Sequence, residues 1–131
     1  MAKSNPKPNP KSNPNLNQPG VKDDATKIRV GLMVSGFSNA LHDVAKVTTF
    51  GASKYTPNGW TSVPNAGERY YDAMHRHILA AESSEVDSES DILHLTHAAW
   101  NLLAIIELKI RKETHKKSPA NPHTPKFIES C

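Results

Sequence analysis

Apolar residues recur through the middle of this chain at the three- and four-residue spacing of a helix face, in three separate stretches. In the first, from about Ser35 to Lys54, Phe37, Ala40, Leu41, Val44, Val47 and Gly51 share one side, and Ser35 is placed to cap the N-terminus. The residues before it, KIRVGLMV (27–34), are rich in β-branched side chains. No second strand is evident to pair with them, so they read as an extended lead-in that packs on the helices. The second stretch follows a turn at Pro64, Asn65 and Gly67 and spans Glu68 to about Glu82. Tyr70, Ala73, Met74, His77, Ile78 and Ala81 form its apolar-leaning face, and Arg69, Asp72 and Arg76 form a polar stripe. The third runs from about Asp91 to Lys112. Ile92, Leu95, Ala99, Leu102, Leu103 and Ile106 make a broad apolar face suited to the interior, and beyond Asn101 the helix is apolar nearly all round. The pattern predicts an all-α fold, a compact bundle of three main helices completed by self-association.

Composition limits how much of the chain enters that bundle. Residues 1–26 hold five prolines, many asparagines and almost nothing apolar, and are expected to be a disordered tail. Residues 114–131, rich in Pro, Lys and His, read as a flexible basic tail. The folded domain is therefore expected over residues 27–113, small enough that a homo-oligomer would help complete its core. Of the net charge of +3, the tails contribute all the excess: residues 27–113 carry nine Lys/Arg against ten Asp/Glu. That distribution points away from specific nucleic-acid recognition. The single cysteine, Cys131, excludes an intrachain disulfide and suits a reducing, cytoplasmic setting. No apolar run approaches the roughly 18–20 residues of a membrane span, so a soluble protein is expected.

Against this background the third helix opens oddly, with HLTHAAWN. His94, His97 and Asn101 fall within about 60° of one another at 100° per residue, one polar stripe on an otherwise apolar helix. Such a stripe can hold a metal, meet phosphates, or form a buried hydrogen-bond network that fixes helix register. Arg69, Asp72, Arg76 and His77 on the second helix offer phosphate-reading guanidinium groups around a carboxylate, or equally an exposed salt-bridge face. Between the two helices lies SSEVDSES, whose Glu85, Asp87 and Glu89 alternate; Glu89 is the one expected to reach the stripe. Around the first helix end, Gly51 permits close approach, Lys54 can pair a phosphate, and Tyr55 and Trp60 can cover a base or plug the helix terminus. No dinucleotide or Walker-type glycine loop is present.

Taken in order, FGASKYTPNGW, RYYDAMHRHILA, the Asp-x-Glu-Ser loop and HLTHAAWNLLAIIEL resemble the phage-associated dATP/dGTP diphosphohydrolase N-terminal domain family over roughly residues 27–110. The resemblance implies cleavage of a purine deoxynucleotide (dATP or dGTP) to dNMP and pyrophosphate, in the manner of MazG-like all-α pyrophosphohydrolases, within phage nucleotide-pool management. Carried onto this sequence, it marks Lys54, Arg69, Arg76 and His77 as catalytic, and Tyr55, Trp60 and Asn101 as contacts to base or sugar. Asp72, Glu89, His94 and His97 are marked as ligands of a divalent metal ion. The metal would be Mg or Mn, with Co or Zn also compatible. MazG-like enzymes hold magnesium with Glu-x-x-Glu and Glu-x-x-Asp, whereas this chain has His94-x-x-His97, a pair better suited to softer ions. A non-catalytic nucleotide-binding or host-interaction module on the same fold is the alternative.

Overall fold

A computed structural model describes residues 18–117. These divide into two units between Gly36 and Phe37.

Among its described residues the first unit carries one short helix, α1 (Val30–Gly36). The lead-in expected to be extended is therefore helical from Val30, despite its β-branched residues. So weak a strand preference does not hold the segment extended. Its apolar side chains, Val30, Leu32, Met33 and Val34, are exposed.

The second unit contains α2 (Ser38–Lys54), a 3-10 turn (Gly59–Ser62), α3 (Ala66–Ala81), a two-stranded hairpin of β1 (Val86–Asp87) and β2 (Ile92–Leu93), and α4 (His94–Lys117). The three helices of the sequence pattern are all present. The first is broken at Phe37, so Ser35 belongs to α1 rather than capping α2. α3 starts after Asn65, which adopts the left-handed conformation at φ 52° and turns the chain out of Pro64. Glu68 in its first turn sits favourably against the helix dipole.

The acidic loop is more ordered than its composition implies. Val86 pairs with Leu93 and Asp87 with Ile92 in an antiparallel ladder. Asp91 at φ 57° closes the tight connection, its N–H donating to the Asp87 carbonyl at 2.8 Å. α4 consequently begins at His94, three residues later than the pattern places it, with the His94 N–H donating to the Glu85 carbonyl at 3.0 Å.

The core lies where α2, α3 and β2 meet α4. Val47, Ile92, Ala98, Ala104 and Ile105 are buried, together with the polar Thr96, His97 and Asn101. The buried side of α4 is thus its small-and-polar side. Truncating Ile105 to Ala there costs about 2–4 kcal/mol. The broad apolar face expected to be the interior one is, apart from Ile92, exposed: Leu95 is 62% accessible and Leu102, Leu103 and Ile106 are each 46% accessible. Polar contacts explain why the helix turns this way. Thr96 Oγ1 donates to Asp43 Oδ2 at 2.6 Å, and Trp100 Nε1 donates to Thr48 Oγ1 at 3.0 Å, fastening α2 to the polar side of α4. His97 and Asn101 face inward alongside them. Among the described residues no helix is long and apolar enough to cross a membrane.

Candidate functional site

His77 near the end of α3 meets His94 and His97 in the first turns of α4. His77 Nδ1 and His94 Nδ1 are 2.9 Å apart. The His77 ring also stacks on His97, with centroids 4.5 Å apart and planes 10° from parallel. The sequence spacing puts His94 and His97 on one side of α4, and the hairpin is short enough to bring α3 back antiparallel against them. A nitrogen pair at 2.9 Å needs one hydrogen: two lone pairs repel, and so do two N–H groups. In the neutral pair one ring carries Nδ1–H and a bare Nε2, and the other accepts at Nδ1 and carries Nε2–H.

The hairpin supplies the second half of the cluster. Ser90 Oγ donates to Asp87 Oδ2 at 2.9 Å and lies 2.7 Å from His97 Nε2. A hydroxyl has one proton, so with that proton on the carboxylate side His97 must donate from Nε2 to Ser90. Asp87 Oδ2 is itself 3.5 Å from His97 Nε2. Burial pushes the His97 imidazole below its ordinary pKa; Asp87 opposes the shift and His94 adds to it. Burial also lowers His77, reinforced by His97 and His94. For Asp87, burial acts upward but is outweighed by the Ser90 hydroxyl, the Glu89 backbone N–H and the two nearby histidines, so the carboxyl ends below its usual value. Burial thus holds His77 and His97 toward the neutral imidazole, beside one ionised carboxylate.

Other expected site residues fall elsewhere. Glu89, expected to reach the stripe, instead forms an ion pair with Lys54 at the end of α2, and that pairing raises the Lys54 ammonium pKa. Asp87 takes the place intended for Glu89, because the hairpin register turns Asp87 inward. Asp72 is exposed and lies 140° around α3 from His77 at 100° per residue, on the far side from the histidines. Asn101 is buried, with Nδ2 donating to the His97 carbonyl at 2.8 Å, so it serves the helix and the cluster wall. Arg69 and Arg76 are exposed on one flank of α3, and neither is in an ion pair among the described residues.

Tyr55 is largely exposed, beside Lys54. Trp60 is half-buried in an aromatic group: its ring stands edge-on to Trp100 at 5.8 Å, and Tyr70 does the same to Trp100 at 5.7 Å. Tyr70 donates its hydroxyl hydrogen to the Trp60 carbonyl at 2.7 Å, and the Arg111 guanidinium covers the Trp60 ring. Trp60 therefore plugs the end of the bundle, one of the two roles its position allows. A methyl built on Gly51 would meet nothing within 4 Å, so no close helix approach depends on it.

The anticipated metal set is not assembled. Among the described residues no three His, Cys, Asp or Glu side chains gather as ligands. Hard divalent ions ask for several oxygen donors. This cluster offers three imidazoles and one carboxylate, with the carboxylate, Ser90 and His97 already joined to one another. Asp72 and Glu89 are directed elsewhere. The donors present do not fit a resident magnesium ion. Sequence reasoning missed Ser90 altogether; its one signal was a hydroxyl next to an acid in the loop that abuts the His stripe.

Two comparisons bear on the cluster. A family model described as dATP/dGTP diphosphohydrolase, N-terminal, matches residues 17–118. A dATP/dGTP diphosphohydrolase of Salmonella phage PMBT28 is 33% identical over 96 residues, 72% of this chain and 31% of that protein. The chain therefore spans about a third of that relative's length. No solved structure matches it.

Proposed function

The chain belongs to the dATP/dGTP diphosphohydrolase N-terminal family, and from that membership and the histidine cluster we propose that it hydrolyses a purine deoxynucleoside triphosphate to dNMP and pyrophosphate. The observation that carries the reading is the His77–His94 nitrogen pair beside the Asp87–Ser90–His97 chain. A neutral pair with one shared hydrogen offers one bare Nε2 as a general base. The lowered His77 pKa favours that neutral form near pH 7.

In the proposed reaction, water attacks the α-phosphorus as its proton passes to that bare nitrogen. The bond from the α-phosphorus to the bridging oxygen breaks, and pyrophosphate leaves with the electron pair. Asp87, through Ser90, holds His97 in the tautomer that stacks flat on His77 and keeps the pair aligned. Arg69 and Arg76 on α3, with Lys54, supply cationic charge for the triphosphate. Any divalent ion arrives with the nucleotide, as part of the substrate. The role belongs to nucleotide-pool management during phage infection, in the host cytoplasm.

A second reading is favoured by one observation: among the described residues the expected carboxylates Asp72 and Glu89 do not gather with the histidines. In it, the domain binds the nucleotide without cutting it. The test incubates full-length protein with each dNTP and rNTP in magnesium, manganese, cobalt or zinc buffers and resolves products by ion-exchange chromatography. Formation of dAMP or dGMP with pyrophosphate, lost in His94→Ala, is the expected result. Intact nucleotides in every buffer, with dATP or dGTP still bound by calorimetry, would replace catalysis with binding.

A further inference from the structure

The side of α4 that faces away from the core is an unbroken apolar stripe. Leu95, Ala99, Leu102, Leu103, Ile106 and Ile110 fall within about a 100° arc, centred roughly opposite the buried His97, Asn101 and Ala104. All six are exposed. We infer that this stripe is the docking surface for a second copy of this chain, with the two α4 helices packed antiparallel about Leu102 and Leu103.

Three observations select that occupant and that direction. The stripe is self-complementary. A two-fold axis between Leu102 and Leu103 sets Leu95 against the partner's Ile110, and Ala99 against the partner's Ile106, so each bulky branched residue meets a contact on the same stripe and Ala99 leaves room for Ile106. Charge agrees: the exposed acids Glu85 and Asp91 flank the start of α4, and the exposed Lys109, Lys112, Lys116 and Lys117 crowd its far half. Antiparallel packing brings these opposite ends together, whereas a parallel pair would set Glu113, in line with the stripe, against its own copy. Area agrees as well. The exposed parts of the six side chains amount to on the order of 500 Å² per protomer before any flanking residue is counted, against about 800 Å² per partner in a standard interface.

An open groove of about 660 Å³ between α2 and the hairpin is lined by Leu95 and Ala99, with Val44, Val86 and Ile92 also facing it. This is where the partner's Ile106 and Ile110 would enter. The exposed α1 is a poorer occupant: its seven residues span ~10 Å, whereas the stripe from Leu95 to Ile110 spans ~22 Å.

The test is sedimentation of the full chain, wild type and Ile106→Glu, with helix content followed by circular dichroism. The wild type should sediment at twice the 14.4 kDa chain mass, and the variant as a folded monomer. Should Ile106→Glu lose helix content, disulfide trapping in a Cys131→Ser background reads the same interface. Ala99→Cys chains mixed with Ile106→Cys chains should give a mixed disulfide, and Ala99→Cys alone should not cross-link. A wild type that stays monomeric at about 100 µM, a folded Ile106→Glu that still dimerises, or efficient Ala99→Cys self-cross-linking would each overturn the inference.

Discussion

His77 and His94 face each other through their Nδ1 atoms at 2.9 Å, and a geometry of that kind stores one hydrogen. A first added proton can be taken at the outer nitrogen of the donor ring. A second would put two N–H groups nose to nose. The geometry therefore ties the protonation of His77 to its contact with His94, and so to stability as well as to chemistry.

The acid side of that titration has a definite sign. His77 and His97 are both lowered from an ordinary 6.5. As pH falls below that value the unfolded chain takes up protons that the folded chain refuses, so stability declines; it is fully present above it. Asp87, also lowered, acts only further down, where its carboxyl begins to protonate below its ordinary 3.8. Thermal melts between about pH 7.5 and about pH 5.5 should therefore show a falling Tm, and His97→Gln should flatten that fall.

The Ser90 hydroxyl links His97 to Asp87. Replacing it with Ala leaves the buried His97 Nε2–H without its acceptor and should destabilise by about 1–3 kcal/mol. Urea unfolding checks this. Ser90→Thr, which keeps the hydroxyl, should recover most of the loss.

At the other end of the bundle, Tyr70→Phe removes one hydrogen bond to the Trp60 carbonyl and nothing from the ring packing. The expected loss is about 1 kcal/mol. Trp100→Ala removes the ring against which both Trp60 and Tyr70 stand, and should cost about 3 kcal/mol or more. Chemical denaturation of the two variants side by side separates the bond from the packing.

Lys54 and Glu89 pair in the open, so neither charge should matter to the fold. Under the proposed function Lys54→Ala should leave Tm unchanged and raise KM for the nucleotide, as should Arg76→Ala. Steady-state kinetics beside a melting curve distinguishes this from a structural role, which would move Tm and leave KM alone.

Helices α2, α3 and α4 were legible because their apolar spacing is long and regular. The His94/His97 stripe was legible because two imidazoles at i, i+3 must share a side. The orientation of α4 was not. Its apolar side is the larger hydrophobic surface, and from one chain's sequence that surface reads as the core; the hydrogen bonds of Thr96 and Trp100 to α2 that settle the matter join residues more than fifty positions apart. α1 was missed because VGLMVSG has strand-like composition and is too short for a period to emerge. Asp87 was passed over for Glu89 because alternating acids look equivalent until a hairpin register assigns one of them inward. Asp72 shares a stripe with Arg69 and Arg76, but it sits on the far edge of that stripe, 140° from His77 against about 80–100° for the two arginines.

Both of the chain's tryptophans, Trp60 and Trp100, belong to the same aromatic group. All indole emission and any exciton signal between the rings therefore originate at one point, where the 3-10 turn, α3 and α4 converge. The protein carries a single-site optical gauge of that junction without a label. Light from it reports whether the far end of the α3–α4 pair is closed, separately from whatever happens among the histidines at the near end.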